Sequence, residues 1–255
     1  MYYTKKNIML KFSNSGNAKL KNIISFSIAS GWSCPFADKC LSKADAVTGK
    51  ITDGKNTEFR CFSASQESLY PAVRKQRFGN FETLRKLRTV EEMADKINAA
   101  LTKVKRNGEG TIVRLHVAGD FFNQTYFDAW TEVAKRNPER IFYAYTKSLQ
   151  YWVNRLGQIP TNFKLNASLG GKQDHLVEMY NLKFVEVCYS EAEAAAKGLE
   201  IDHDDSHAYA YDDSFALLIH GTQPKGSKAA KAKSELAKAG WTGYRKDKGR
   251  EKMNS

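Results

Sequence analysis

The sequence predicts an α/β fold with a parallel sheet, arranged as a complete or partial (β/α) TIM-like barrel. From residue 110 onward, β-branched or aromatic runs alternate with helical segments, and successive strands lie about 25 residues apart. Strand–helix–strand repeats of this kind require parallel strands. The length of 255 residues fits one large domain, predicted over residues 1–245, with a basic polar tail over 246–255. A doubly wound open sheet is the alternative architecture.

Each predicted strand is a short apolar run, and each predicted helix carries apolar residues at helical spacing. In the segment 126–135, for example, Phe127, Trp130 and Val133 fall on one helix face. Strands are predicted at 23–28, 111–117, 140–145, 163–166, 184–188 and 215–219, with a seventh if residues 199–203 pair with the sheet. Helices are predicted at 126–135, 149–156, 174–180 and 191–197, with one or two more within 82–105 and a Lys-rich helix after the last strand.

The four cysteines indicate a metal site. Cys34, Cys40 and Cys61 lie in one 28-residue stretch after the first predicted strand, and Cys188 ends the strand 184–188. The N-terminus has no signal-peptide pattern, and no run approaches the roughly 18 apolar residues of a membrane span. We therefore expect a cytoplasmic protein without a membrane partner, in which cysteines bind metal more often than they form disulfides. Four unrelated buried thiols are the alternative.

Barrel geometry places the four thiols on the same side of the domain. In (β/α) barrels the functional site lies at the carboxyl ends of the strands. The cysteine-bearing loop after the first strand and Cys188 both fall there. We therefore predict that Cys34, Cys40, Cys61 and Cys188 hold one 4Fe–4S iron–sulfur cluster. Zinc is the alternative metal, although structural zinc sites prefer paired ligands two to four residues apart, a spacing that this sequence lacks.

Four further polar residues follow predicted strands and are candidate cofactor-binding residues: His116, Asp120, Lys147 and His220. Each has a structural alternative. His116 also fits a core histidine and Asp120 a helix cap. Lys147 also fits a solvated lysine, and His220 a turn beside Gly221. The sequence contains no Walker loop, dinucleotide fingerprint or nucleophile elbow, which argues against nucleotide-binding and hydrolase classes.

The chain is basic, with a formal net charge of +12 and a pI of about 9.4. Ten Lys or Arg residues against three acids lie between residues 225 and 252, and a second basic stretch spans 74–88. These segments favour weak, salt-dependent and sequence-independent binding of nucleic acid, with solvated helix faces as the alternative. The main partner is expected to be a redox partner or a small-molecule substrate, which the sequence does not identify.

Five segments together resemble the phage gene product eighty-eight family. They are residues 14–19, 31–45 and 57–65, His116-Val-Ala-Gly-Asp120 and Ile219-His-Gly-Thr-Gln223. The resemblance covers nearly the whole chain. It implies a phage origin, and therefore a location in the host cytoplasm, without specifying a reaction.

The cysteine loop is also similar to that of the radical S-adenosylmethionine enzymes, which place three cysteines after the first strand of a partial barrel. Ala118-Gly-Asp120 occupies the place of their Gly-Gly-Glu turn. The spacing differs, because five and then twenty residues separate Cys34, Cys40 and Cys61, against three and two in that superfamily. A fourth ligand, Cys188, would also occupy the iron that must stay open.

The sequence therefore leaves three functions open. The first is a four-thiolate iron–sulfur protein with a redox, sensing or catalytic role. The second is a radical enzyme with a three-cysteine cluster. The third is a zinc-stabilised nucleic-acid-binding protein. Whether the protein is an enzyme is not decided by these patterns.

Overall fold

The computed structural model describes residues 9–14, 20, 23–104 and 111–241, which form an eight-stranded, mostly parallel sheet with helices and a small hairpin. The strands are β1 (Phe12–Asn14), β2 (Ile24–Phe26), β3 (Ser42–Ala44), β4 (Ile51–Asp53), β5 (Ile112–Leu115), β6 (Ile141–Thr146), β7 (Phe163–Ser168), β8 (Phe184–Cys188), β9 (Glu200–Ile201) and β10 (Phe215–Leu218). The helices are α1 (Phe62–Leu69), α2 (Pro71–Leu84), α3 (Val90–Leu101), α4 (Gln124–Arg136), α5 (Leu149–Val153), α6 (His175–Met179), α7 (Glu191–Ala196), α8 (Ser206–Tyr209) and α9 (Lys228–Lys238). The predicted tail, residues 246–255, lies outside the described residues.

The strand order of the large sheet is β1-β2-β5-β6-β7-β8-β10-β9. The six predicted strands are confirmed as β2, β5, β6, β7, β8 and β10, which are mutually parallel and follow one another in chain order. The predicted seventh strand is confirmed as β9, which pairs with β10. Because the order of the six strands never reverses, the sheet is wound in one direction, as in a barrel and unlike a doubly wound sheet.

The predicted complete barrel is not confirmed. Within the part of the chain that the structure describes, the sheet is open, with β1 at one edge and β9 at the other. β1 runs antiparallel to β2, and β9 has only two residues, Glu200 and Ile201. Very short edge strands offer little backbone for further pairing, which is consistent with a sheet that ends at the three-residue β1 and the two-residue β9.

Helices cover one face of this sheet. α3 and α4 pack on β2, β5, β6 and β7, α5 and α6 on β7, and α7 and α9 on β8 and β10. The predicted apolar face of α4 is confirmed, since Phe127, Trp130 and Val133 are fully buried. Asn123 caps the N-terminus of α4, and its side chain accepts the backbone N–H of Tyr126. Burial of these large side chains fixes the position of the strands whose ends carry the candidate site.

The opposite face of the sheet is covered by α8 and the residues around it. Tyr143 alternates with Phe142 along β6 and therefore points away from the helix layer. Its hydroxyl donates to Asp205, which also pairs with Arg114 of β5. A barrel lumen would occupy this place in a closed fold, and here the α8 segment fills it.

α1, α2 and the β3–β4 hairpin were not predicted. The buried positions of α2 are Arg74, Arg77, Asn80 and Leu84, so that helix has almost no apolar periodicity to detect. Arg74 is buried because its guanidinium donates to four carbonyl groups, two of them in the turn of the hairpin. None of the described helices is long and apolar enough to cross a membrane.

Candidate metal centre

Cys34, Cys40 and Cys61 lie near one another beyond the carboxyl end of β2. Burial raises the pKa of the Cys34 thiol well above its usual range, and the nearby Asp120, Cys61 and Cys40 raise it further. Burial, together with Cys40, raises the pKa of Cys61 to about 11. Like charges influence one another in this way only at short range. Cys40 and Cys61 therefore lie near Cys34, and the shared ligand site of the three loop cysteines stays a prediction.

The turn before Cys34 is shaped by Gly31. Its backbone N–H points at the Cys34 sulfur, 3.3 Å away. Gly31 has φ +71°, and a Cβ there would lie 2.3 Å from the carbonyl oxygen of Ser42. Only glycine fits this close approach in a left-handed conformation. The hydroxyl of Ser42 in turn accepts the backbone N–H of Cys61 at 3.4 Å, so β3 joins the two cysteine segments.

Cys61 directly precedes α1. The backbone N–H groups of Ser63 and Ala64 counteract the effect of burial and lower its pKa, as expected for a sulfur at a helix N-terminus. The Ser63 hydroxyl donates to the carbonyl of Val117, 2.6 Å away, just beyond β5. This bond brings Cys61 to the carboxyl edge of the sheet.

Gly119 and Asp120 pack against the cysteine loop at the end of β5. Gly119 has φ +89°, and a Cβ there would lie 2.4 Å from Ile28 Cγ1 and 2.6 Å from Ser33 Oγ. The backbone N–H of Asp120 donates to the same Ser33 hydroxyl at 3.3 Å. The absence of a side chain at Gly119 thus allows Asp120 to lie directly beside the loop that carries Cys34.

The Asp120 carboxylate is held by three donors. They are Thr146 Oγ1 at 2.6 Å, the backbone N–H of Phe121 at 2.7 Å and that of Lys147 at 2.8 Å. Burial raises the pKa of Asp120 to about 6, and these bonds oppose that effect. The alternative role of Asp120 as the cap of α4 is wrong, because Asn123 is the capping residue.

Lys147 supports the loop that follows β7. Its ammonium group donates to Ser168 O at 2.8 Å, Ser168 Oγ at 2.7 Å and Leu169 O at 2.7 Å, which uses all three of its N–H bonds. The same loop bonds the cysteine loop, since the N–H of Lys39 donates to Gly170 O at 2.9 Å. The solvated-lysine alternative does not hold. Cofactor binding by Lys147 stays a prediction to which these contacts give no support.

His220 lies next to the residue that follows Cys61. The rings of His220 and Phe62 are 5.0 Å apart between centroids. Gly221 has φ +74°, and a Cβ there would lie 2.6 Å from the Phe62 Cβ. Gln223 bonds both backbone groups of Arg60, at 2.8 and 3.1 Å. The end of β10 therefore holds the segment 60–62, and His220 stays a candidate for cofactor binding.

His116 is part of the helix-side core. Its ring lies 4.5 Å from that of Phe121, and its Nε2 is 3.1 Å from the Tyr126 hydroxyl. Burial lowers its pKa to about 3, so the ring is neutral. Its φ of +58° ends the alternation of β5 and differs from the expected strand geometry. These contacts favour the core-histidine interpretation over cofactor binding, which stays a prediction.

Cys188 lies among apolar residues and charged side chains of β8 and α7. Alternation along β8 places it on the face of Glu186, whose carboxylate bonds Lys197 beside α7. Cys188 is fully buried in an apolar cluster with Ala194 and Leu218. Burial raises its pKa to about 11, and the charged neighbours are Lys197, Glu193 and Glu186 rather than other cysteines. These contacts do not place Cys188 beside the other three thiols, and its role as a fourth ligand stays a prediction. Among the described residues, no group of three or more His, Cys, Asp or Glu side chains is placed to hold one metal ion.

Comparisons with known proteins identify the family. Residues 4–240 match the family described as Gene product 88. The chain belongs to this family. One relative, the Gene 88 protein of Mycobacterium phage L5, is 29% identical over 137 residues. That alignment covers 52% of this chain and 51% of the relative, so the chain spans about half the length of the curated relative it matches. No solved structure matches the chain.

In this member of the Gene product 88 family, a buried ion pair lies beside the cysteine site and was not predicted. Glu67 Oε1 accepts the N–H of Ser30 at 3.1 Å and pairs with Arg77 Nη1 at 3.3 Å. Arg77 also donates to Ser63 O at 3.1 Å and to Gln66 Oε1 at 2.7 Å. The pair therefore connects α2 to Ser30, before Cys34, and to Ser63, after Cys61. Nothing in the sequence distinguishes these two charged residues from surface ones, because their burial depends on the packing of α1 against α2.

Proposed function

We propose that this protein binds a 4Fe–4S cluster through Cys34, Cys40 and Cys61, with Cys188 outside the ligand set. The observation that supports the proposal is the effect of the neighbouring thiols on the pKa values of Cys34 and Cys61 at the carboxyl edge of the sheet. Three neighbouring thiolates repel one another, and a bound cationic group removes this penalty. Thiolates are also the ligands that iron–sulfur clusters prefer.

Spacing supports a cluster over zinc. Zinc holds each thiolate at about 2.3 Å, so its ligands must surround one point. Among the described residues no three such side chains do so. A cube distributes its ligands over several iron atoms and fits thiols that lie farther apart. The donor set is three sulfurs from separate turns, with Asp120 beside Cys34.

A cube with three cysteine ligands leaves one iron open to a small molecule. This supports the interpretation as an enzyme of the radical S-adenosylmethionine type over that of a closed four-thiolate carrier. The neighbouring protein groups have definite roles in such a site. Asp120, fixed by Thr146 and Lys147, offers a carboxylate oxygen to a bound amine. Gly31 and Ser63 direct backbone N–H groups at the sulfurs of Cys34 and Cys61, which stabilises negative charge on them.

Replacing the cysteines one at a time tests this ligand set. We expect Cys34→Ala, Cys40→Ala and Cys61→Ala proteins, reconstituted anaerobically, to lose most of their iron and visible absorbance. Cys188→Ala is the matched control and should keep both, because its thiol lies in the helix-side core. Iron and sulfide analysis with circular dichroism separates ligand loss from unfolding.

Other outcomes would change the assignment. Iron loss in Cys188→Ala equal to that in the other variants would restore the four-thiolate interpretation. A colourless wild-type protein containing zinc would favour the zinc alternative. Reductive cleavage of S-adenosylmethionine by the loaded wild-type protein would separate the radical enzyme from a closed carrier.

A separate prediction concerns the basic C-terminal segment. Deleting residues 246–255 is expected to weaken non-specific DNA binding and to reduce its dependence on salt, because fewer phosphate contacts release counterions. Fluorescence anisotropy across a salt series measures both, and iron content should be unchanged. Tight, sequence-dependent binding that persists at high salt would instead make nucleic acid the main partner.

A further inference from the structure

A cluster of polar side chains lies on the sheet face that α8 covers, away from the cysteine loop. Arg114 of β5 is the register partner of Tyr143 in β6. Tyr145, two residues further along β6, points the same way as Tyr143 and is the register partner of Asn166 in β7. We call this set the Arg114–Asn166 cluster; its members are Arg114, Tyr143, Tyr145 and Asn166. Because they belong to three neighbouring strands, the sheet itself brings them together.

The cluster holds the carboxylate of Asp205. Asp205 Oδ2 accepts from Arg114 Nη1 and, at 2.7 Å, from the Tyr143 hydroxyl, and Oδ1 accepts from the Tyr145 hydroxyl at 3.2 Å. Burial and the charge of Asp205 raise the pKa values of both tyrosines well above their usual range, so both hydroxyls stay protonated. The Arg114 guanidinium also lies 4.8 Å from the centroid of the Tyr145 ring, which holds it in place. A guanidinium with two hydroxyl donors beside it recognises a carboxylate.

Asp205 does not use all the donors of this site. Its bond to Tyr145, at 3.2 Å, is long for two oxygen atoms. Its bond to Arg114 is made through Nη1, whereas a free carboxylate can pair with two guanidinium nitrogens at once. Arg114 Nε is buried and has no hydrogen-bond partner among the described residues. The backbone of Asp205 also lies in the left-handed region, with φ +68°, which is uncommon for a residue other than glycine.

Asn166 adds an acceptor to the cluster. Its Nδ2 donates to Ala144 O at 3.2 Å and to Ala208 O at 3.0 Å, and because carbonyl oxygens only accept, the amide group cannot be turned round. Its Oδ1 is buried and has no partner in the part of the chain that the structure describes. A hydroxyl group of a ligand can donate to this oxygen without bringing a second charge into the site. An ammonium group would need a counter-charge when buried, and none of the four side chains supplies one.

The segment that covers the cluster, residues 202–214, is held mainly by polar contacts. All of these residues are described, and Ala208 is the one among them whose apolar side chain is buried. Lys183 Nζ donates to the carbonyl groups of His207 and Tyr211. Segments with little buried apolar surface open at a lower free-energy cost than the core. The segment can therefore leave the cluster while the sheet stays folded.

We propose that the Arg114–Asn166 cluster binds a small hydroxycarboxylate and that Asp205 occupies this site as an internal competitor. The carboxylate of the ligand pairs with Arg114 and the two tyrosines, and its hydroxyl group donates to Asn166 Oδ1. The side chain of Asp205 is a carboxymethyl group, so its departure leaves room for a molecule the size of glycolate or lactate. Segment 202–214 must open before the ligand can enter, and the free energy of opening lowers the apparent affinity. The proposal goes beyond the cysteine site and requires no metal.

Calorimetry of the full chain with glycolate and L-lactate tests the proposal. Asp205→Gly removes the competing carboxylate and suits the positive φ at this position. We expect this variant to bind at least one of the two acids about tenfold or more tightly than the wild type does. Adding Tyr145→Phe should weaken that binding severalfold, and acetate should bind more weakly than glycolate, because Asn166 Oδ1 then stays unpaired. Asp213→Gly is the matched control, since Asp213 is an exposed acid of the same segment, and it should bind as the wild type does.

Hydrogen exchange of the wild-type protein measures the movement of the segment. Glycolate at saturating concentration should speed the exchange of amides in residues 206–213 and leave that of β6 unchanged, because the segment opens and the sheet does not. Circular dichroism shows whether Asp205→Gly folds, and if it does not, the exchange of the wild type is the deciding measurement.

Several results would overturn the proposal. A folded Asp205→Gly protein that binds neither acid would show that the cluster only fixes α8 to the sheet. Equal affinities of wild type and Asp205→Gly would place the binding elsewhere on the protein. Acetate bound as tightly as glycolate would reduce the cluster to an unselective anion site, and glycine bound more tightly than glycolate would replace the hydroxyl group by an amine. Unchanged exchange in residues 206–213 of the ligand-saturated wild type would reject the opening of the segment.

Discussion

Glu67→Gln is expected to lower the free energy of unfolding by about 3–5 kcal/mol, because it leaves a buried guanidinium without its counter-charge. Glu67 has no exposed surface, and its partner Arg77 is 6% exposed. Burial raises the pKa of Glu67, and the charge of Arg77 opposes that effect. Urea denaturation of the full chain, followed by circular dichroism, measures the change.

An exposed ion pair provides the control for this substitution. Glu82→Gln removes a carboxylate that pairs with Arg85 at 2.8 Å on the surface of α2, where such pairs contribute about 0–1 kcal/mol. If Glu67→Gln and Glu82→Gln lowered the free energy of unfolding by similar amounts, the buried pair would not be a stabilising contact. Replacing Glu67 and Arg77 together by Met should recover much of the loss, because no unpaired charge then remains.

His116→Asn is expected to reduce the sensitivity of the fold to acid. The pKa of His116 is about 3 in the folded protein, against about 6.5 in an unfolded chain. The unfolded chain therefore binds the proton first, and stability is lost as the pH falls from about 6.5 towards about 3. Between pH 7 and pH 5 this single group accounts for about 2 kcal/mol of lost stability.

The measurement is a pair of urea titrations at these two pH values for each protein. Asn is suited to position 116 because it tolerates the positive φ found there. The stability of His116→Asn should fall by about 2 kcal/mol less than that of the wild type on acidification. His175→Asn, at an exposed position of α6, should follow the wild type. Parallel pH profiles of wild type and His116→Asn would contradict a buried neutral imidazole.

The sequence predicted the strands well because their apolar runs are short, repeated and separated by amphipathic helices such as α4. It did not predict α2, because the buried face of that helix contains Arg74, Arg77 and Asn80. Burial of these polar side chains is favourable only when the folded protein supplies their hydrogen-bond partners. The sequence also could not show whether the barrel closes, because periodicity identifies strands but does not show whether the first and last strands pair.

The candidate site was predicted in part for a similar reason. Chain order and strand ends were sufficient to bring Cys34, Cys40 and Cys61 to one edge of the sheet. For Cys188 the strand end was predicted correctly, but its packing in the helix-side cluster was not predicted, because alternation defines two faces without saying which one the helices cover. The supporting contacts of Ser42, Gly119 and Glu67 depend on close approaches between loops, which leave no periodic signal in the sequence.

The two hydrogen bonds between the Gln223 side chain and the Arg60 backbone join positions 163 residues apart. Gln223 also donates to the carbonyl of His220 at 2.8 Å, which stiffens the turn that presses on Phe62. During synthesis on the ribosome Arg60 emerges 163 residues before Gln223. The segment that carries Cys61 therefore takes its final position only after residue 223 has been made.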